Sequence, residues 1–198
     1  MDQGISEMTS RSNRIIVGIS GASGIIYGIR ALQMLRSASV ETHLIVSKAA
    51  EMTLAYETDL TLKELRSLAD EYHPSSDVGA SISSGSFPTM GMIIAPCSVR
   101  TMSEISSGVT SSLMSRAADV VLKERRRLVL AVRETPLHTG HLRTMVNLSE
   151  IGAIIYPVVP AFYNRPQSIE DIVDHTVGRL LDLFNIESDV VKRWKVEA

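Results

Sequence analysis

The stretch Arg14-Ile15-Ile16-Val17-Gly18-Ile19-Ser20-Gly21-Ala22-Ser23-Gly24 decides the fold. Its first six residues are a short run rich in β-branched side chains, which predicts a buried strand. Ser20 to Gly24 is too rich in glycine and serine to continue that strand. Ile25, Ile29, Leu32 and Leu35 then recur at helical spacing. Strand, small-residue loop and helix in that order form the first half of a βαβ unit.

Outward from this unit the alternation repeats. Val40 to Val46 predicts a second strand, and Ser47 stands where it would cap a helix from Lys48. Ser75 to Ser86 reads as a long polar loop. Met92 to Ala95 is a further strand, stopped by Pro96-Cys97-Ser98, with helices from about Thr101 and from Leu113 to Lys123. Leu128 to Val132 is the next strand, cut off at Arg133-Glu134-Thr135-Pro136. A helix from about His138 to Ile151, a last strand from Ala153 to Tyr156 and a helix from Ser168 to Phe184 complete the pattern. The strands are continuous apolar runs, which is how a parallel sheet covered on both faces reads. The expectation is one doubly wound α/β domain over residues 14–198. Residues 1–13 are polar and lack an apolar core, so they read as a flexible extension and not as a secretory signal.

Composition narrows the function classes. The 198 residues carry 20 Lys+Arg and 22 Asp+Glu, a net charge of −2, which gives no electrostatic footprint for nucleic acid. No apolar run approaches the ~20 residues that span a bilayer. The one cysteine, Cys97, excludes an internal disulfide and a multi-cysteine metal site, and suits a cytoplasmic setting. Cys97 itself reads as a small buried hydrophobe. His138 and His141 are the wrong beginning for a metal site, because nothing near them completes it, and no metal is expected.

In such a sheet, ligands bind beyond the carboxyl ends of the strands. Those ends carry Ser20 to Gly24, Ser47, Ser98 and Arg133-Glu134. The glycine-serine loop has two readings, a tight turn or a cradle for an anion at a helix start. Ser98 and Thr101 read as a helix cap that could also hold a phosphate. Arg116 and Lys123 lie seven residues apart on one helical face, where two cations could grip a phosphate. Arg133-Glu134 directly follows a buried strand, where a charged pair is costly unless it is solvated or used.

Taken in order, these segments resemble the flavin prenyltransferase family of the UbiX type. The resemblance rests on Gly18-Ile19-Ser20-Gly21-Ala22-Ser23-Gly24, Ser47-Lys48-Ala49-Ala50, Ser84-Gly85-Ser86-Phe87 and Ala95-Pro96-Cys97-Ser98. It continues through Arg116-Ala117-Ala118-Asp119, Leu122-Lys123-Glu124-Arg125, Arg133-Glu134-Thr135-Pro136, Pro160-Ala161-Phe162-Tyr163 and Lys192-Arg193-Trp194. It implies a flavodoxin-like Rossmann fold, FMN bound at subunit contacts of a homo-oligomer, commonly a dodecamer, and no metal. It implies transfer of a dimethylallyl group from dimethylallyl phosphate to reduced FMN, for use by a UbiD-type decarboxylase. By the same resemblance, Gly21, Ala22, Ser23, Ser47, Ser98, Val99, Arg100, Thr101 and Arg133 contact FMN. Arg116, Lys123, Tyr163 and Arg179 bind the donor's phosphate. Ser23, Glu57 and Glu134 serve the chemistry at N5 and C6. One departure stands out: some members place a tryptophan before the Ser-Gly-Ser segment, and Val78 falls there instead. The competing readings are a flavin-dependent cysteine decarboxylase, whose His and Pro-Ala-Ser-Ala-Asn-Thr marks are missing, and a non-catalytic FMN carrier.

Overall fold

A computed structural model describes residues 13–188. Six strands form one all-parallel sheet: β1 (Arg14–Ile19), β2 (Glu41–Val46), β3 (Glu71–Pro74), β4 (Gly91–Cys97), β5 (Arg127–Val132) and β6 (Ala153–Ile155). The helices between and after them are α1 (Ile26–Ser37), α2 (Lys48–Glu57), α3 (Leu62–Ser67), α4 (Val99–Ser106), α5 (Leu113–Lys123), α6 (Thr139–Glu150) and α7 (Ile169–Asp182). The order across the sheet is β3-β2-β1-β4-β5-β6. Without the short edge strand β3, the remaining five run in the flavodoxin-like order 2-1-3-4-5.

Strand alternation sorts the core into two layers. Ile15, Val17 and Ile19 of β1 point to a cluster completed by α1 and α7, through Ile29, Leu32, Val177 and Leu181. Ile16 points the other way, to a cluster completed by α4 and α5, through Met102, Leu113, Ala117 and Val121. Helices therefore cover both faces, as the apolar strand runs predict.

Two elements have no counterpart in the sequence reading. α3 is only six residues long, too short for a visible apolar period, but Thr61 and Glu64 form a capping box that starts it. β3 pairs only with β2 and reads Glu71-Tyr72-His73-Pro74, without the apolar run of an interior strand. A third difference concerns β4, which continues through Pro96 to Cys97. The register with β5 slips between Ile94 and Cys97, and an irregularity of that kind is where a sheet tolerates proline. Residues 1–12 of the predicted 1–13 extension and the Lys192-Arg193-Trp194 segment lie outside the described residues.

Candidate active site

The crevice beyond the sheet lies between β1 and β4, where the strand order reverses. Ser20 spans it. Its N–H and its hydroxyl both donate to the Pro96 carbonyl, at 3.2 and 2.8 Å. The same hydroxyl accepts from the Ser98 N–H at 2.7 Å. On either side, the Ser47 N–H donates to the Ile19 carbonyl at 3.0 Å and the Arg133 N–H to the Cys97 carbonyl at 3.1 Å. Four strand ends are thus tied together, and their loops start from fixed positions.

A cleft of about 230 Å³ opens there. Three helix starts line it: α2 through Ser47 and Ala49, α4 through Ser98 and Thr101, and α5 through Ser112 and Met114. Each begins with a serine cap. Ser47 accepts from the Ala50 N–H at 3.1 Å, Ser98 from the Thr101 N–H at 3.3 Å and Ser112 from the Ser115 N–H at 3.3 Å. A cap satisfies one of the first four N–H groups of a helix, and the positive ends of three macrodipoles share this small space. Lys48 and Arg100 add formal charge at the rim, with Arg100 paired to Glu104 at 2.9 Å. Gly21 is indispensable here, since a Cβ on it would lie 2.3 Å from the Cβ of Ala49. Among the predicted contacts, Gly21, Ser47, Ser98, Arg100 and Thr101 come together in this cleft. Ala22 is buried beside it in the β1–α1 loop, and Val99 is the half-buried first residue of α4. The volume is below the ~300–1,000 Å³ of a whole small-molecule pocket, so the cleft has room for one end of a longer ligand.

A second group forms at the start of α1, where Ile25 offers no side-chain cap. Glu57, the last residue of α2, supplies one from outside. Its carboxylate accepts from the Gly24 N–H at 2.9 Å and the Ile25 N–H at 3.0 Å. Burial works against its ionisation, but the Ser23 hydroxyl, the Ile25 and Gly24 N–H groups and the charge of Arg133 outweigh it, so its pKa is lowered. Ser23, Glu57 and Arg133 are therefore neighbours, with Glu57 held as an anion. Burial raises the pKa of Tyr27, and the nearby Arg133 charge acts against that rise. Glu134 is half-buried and accepts from the Thr135 N–H at 2.9 Å. Arg133 is exposed, so the pair after β5 is solvated on its cationic side.

The predicted phosphate binders divide into two pairs. Arg116 and Lys123 stand on α5, joined to Asp119 at 3.0 Å and Glu124 at 2.5 Å. Arg179 stands on α7 with Asp182 as its partner. The Tyr163 hydroxyl meets Nε2 of His175, also on α7, at 3.1 Å. α5 packs on one face of the sheet and α7 on the other. Within one chain the two pairs are held on opposite sides.

Comparisons with known proteins bear on this arrangement. Residues 3–181 match the family model described as Flavoprotein. The flavin prenyltransferase UbiX of Escherichia coli K12 is 59% identical over 185 residues, covering 92% of this chain and 98% of the relative. This chain belongs to the flavin prenyltransferase family. A crystal structure of AnUbiX in complex with FMN and dimethylallyl pyrophosphate superimposes with a TM-score of 0.91 and 51% identity, covering 93% of this chain and 98% of that one. A dodecameric FMN-dependent UbiX-like decarboxylase from Escherichia coli O157:H7 superimposes with a TM-score of 0.90 and 48% identity, covering 92% of this chain and all (100%) of that one.

Seen as a flavin prenyltransferase, the chain holds residues that sequence reasoning missed. Ser112 is the third cap at the cleft, and the Ser112-to-Ser115 spacing of a capping box was its signal. His175 is buried and positions Tyr163, and no local pattern marks it. Burial, followed by the charge of Arg179, lowers its pKa, so it is held as the neutral imidazole. Cys97 is fully buried, and burial pushes its thiol up to about 12, which leaves no thiolate nucleophile. His138 caps α6, with its Nδ1 accepting from the Gly140 N–H at 3.0 Å. No helix among the described residues is long and apolar enough to cross a membrane.

Proposed function

We propose that the chain transfers the dimethylallyl group of dimethylallyl phosphate to N5 and C6 of reduced FMN, and that the prenylated FMN serves a UbiD-type aromatic-acid decarboxylase. The observation that carries this reading is the meeting of three serine-capped helix starts at the switch point of a chain 59% identical to a flavin prenyltransferase. Such a site suits the phosphate end of FMN, because unpaired N–H groups and aligned dipoles favour an anion. The contact between Gly21 and Ala49 fits as well, since it lets backbone close around the ligand. Gly21, Ala22, Ser23, Ser47, Ser98, Val99, Arg100, Thr101 and Arg133 form the flavin-binding surface.

Reduced FMN, when bound, supplies the nucleophilic nitrogen and the aromatic carbon, so the protein needs no nucleophile of its own. The chain's task is to hold the donor and disperse charge. As the allylic C–O bond breaks, negative charge grows on the departing phosphate. Arg116, Lys123 and Arg179 offset it electrostatically, and the Tyr163 hydroxyl donates to it. Glu134, at the end of β5, moves protons as the new ring closes. Glu57 acts by position, its fixed anion holding Ser23 and the β1–α1 loop in place. The two pairs of phosphate binders join only when copies of the chain meet, which agrees with a dodecamer. A cytoplasmic location agrees with the lone buried thiol.

The test is anaerobic. Purified protein is mixed with reduced FMN and dimethylallyl phosphate, and the flavin is analysed by mass spectrometry. Gain of one isoprenoid unit is expected, as is its loss in Glu134→Gln. Bound but unaltered FMN would favour a carrier or a decarboxylase instead.

A further inference from the structure

At the edge of the sheet, two buried histidines face each other across β2 and β3. His43 is 1% exposed and His73 5% exposed. His43 Nδ1 lies 3.0 Å from His73 Nε2 and 3.4 Å from a carboxylate oxygen of Glu71. The other Glu71 oxygen lies 3.7 Å from His73 Nε2. A hydrogen bond between the rings would account for the first contact alone. The carboxylate contacts are longer than ordinary hydrogen bonds, yet the acid converges on the same two nitrogens. A tetrahedral zinc ion with bonds of about 2.0–2.2 Å keeps its ligand atoms roughly 3.3–3.6 Å apart. The two carboxylate contacts, one to each Glu71 oxygen, lie at or just above that range, and the two nitrogens, at 3.0 Å, would separate slightly to admit the ion.

The surroundings supply what such a site needs. His43 Nε2 meets Glu41 at 3.1 Å, and Arg14 fixes Glu41 from the other side at 2.8 Å. With Nε2 donating its proton to Glu41, the Nδ1 lone pair of His43 faces the cluster. A carboxylate behind a ligating imidazole is the usual means of fixing tautomer and orientation. The Phe87 ring closes over His43, edge to face at 5.0 Å. Glu71 is 56% exposed, which leaves an entry route and room for a water ligand.

We propose that His43, His73 and Glu71 form a structural zinc site that clips the edge strand β3 to β2. Two imidazoles and one carboxylate are a donor set for zinc and not for magnesium or calcium. β3 has only four residues and one partner strand, so it gains most from a cross-link. The clip would also steady the loop carrying Phe87, whose carbonyl Arg126 already holds at 2.7 Å. This site is separate from the prenyl-transfer site and takes no part in that chemistry.

The test uses the full-length protein, stripped with a chelator and dialysed against Zn²⁺, with Co²⁺ as a spectroscopic stand-in. One Zn²⁺ per chain is expected, with a Tm that rises with Zn²⁺ concentration. Glu71→Gln and His73→Gln should each weaken Zn²⁺ binding at least tenfold and abolish the Co²⁺ visible bands. Glu41→Gln should weaken it roughly 10–100-fold, and His141→Gln should change nothing. Glu71 is exposed, so its variant keeps the test valid even if His73→Gln does not fold. The proposal is overturned if no Zn²⁺ is retained, if Glu71→Gln binds like the parent chain, or if His141→Gln is the variant that loses the metal.

Discussion

The two regions proposed to bind anions are built in opposite ways. At the cleft, three helix starts and the loop at Gly21 meet within one copy, held by the Ser47 N–H on the Ile19 carbonyl, the Ser98 N–H on the Ser20 hydroxyl and the Leu113 N–H on the Ser75 carbonyl. The residues proposed to bind the donor phosphate are side chains on α5, on α7 and, for Tyr163, in the loop before α7, with α5 and α7 across the sheet from one another, and each cation already has its own acidic partner. The first region is finished by folding. The second, on the proposed reading, is finished by assembly, and its cations must exchange nearby acidic partners for substrate. The flavin end should therefore tolerate loss of one side chain, whereas the donor end should not.

The largest effect is expected at Lys123. Lys123→Ala should lower the turnover rate about 10²–10³-fold, the usual consequence of losing one charge-stabilising group, while FMN affinity stays nearly unchanged. Single-turnover kinetics with reduced FMN separates the two. Mixed oligomers sharpen the comparison. Lys123→Ala and Tyr163→Phe chains, each defective alone, should regain part of the rate when assembled together, because some sites then hold both intact residues. Absence of regain would place both residues in one chain's site and break the contrast.

Next comes Gly21→Val. The new side chain would begin 2.3 Å from the Ala49 Cβ and 3.1 Å from its carbonyl carbon, backbone that cannot turn aside. Overpacking of this kind costs about 1–3 kcal/mol. FMN affinity should fall roughly tenfold or more, read by quenching of flavin fluorescence. Ser98→Ala is milder. Loss of a serine cap costs about 1 kcal/mol, and Ser47 and Ser112 remain, so a roughly fivefold weaker FMN affinity is expected. A hundredfold loss would show that one hydroxyl, and not the three helix starts together, carries the flavin end.

The sequence exposed the first region far better than the second. A strand, a glycine-serine loop and a helix are local signals, and Ser20, Ser47 and Ser98 each stand where an apolar run stops. From those three positions both the sheet and its crevice follow. Arg116 and Lys123 were legible as one helical face, but their separation from Arg179 depends on which side of the sheet each helix packs, which no local pattern encodes. β3 was invisible for a related reason. An edge strand buries little, so Glu71-Tyr72-His73-Pro74 carries no apolar signature, and the approach of His73 to His43 depends on the pairing register alone. His175 escaped notice because a buried histidine on a helix looks like any core residue until its partner is known.

The smallest expected effect separates position from proton transfer. Glu57 caps α1 from the end of α2, and its lowered pKa reflects bonds that favour the anion. A carboxylate whose pKa is lower in the folded chain than in the unfolded one stabilises the fold above the unfolded value, about 4.5. That contribution fades as pH falls through the folded value. Glu57→Gln should therefore lower stability at neutral pH by about 1 kcal/mol, the scale of a helix cap moderated by solvent exposure. The deficit should shrink as pH falls below about 4.5 and vanish only once the folded carboxylate is protonated as well. Denaturant unfolding at several pH values measures it. If Glu57 acts by position, the same variant raises KM for FMN more than it lowers kcat. A fall in kcat as deep as that of Glu134→Gln, with stability unchanged at neutral pH, would make Glu57 a proton carrier and move the chemistry to the start of α1.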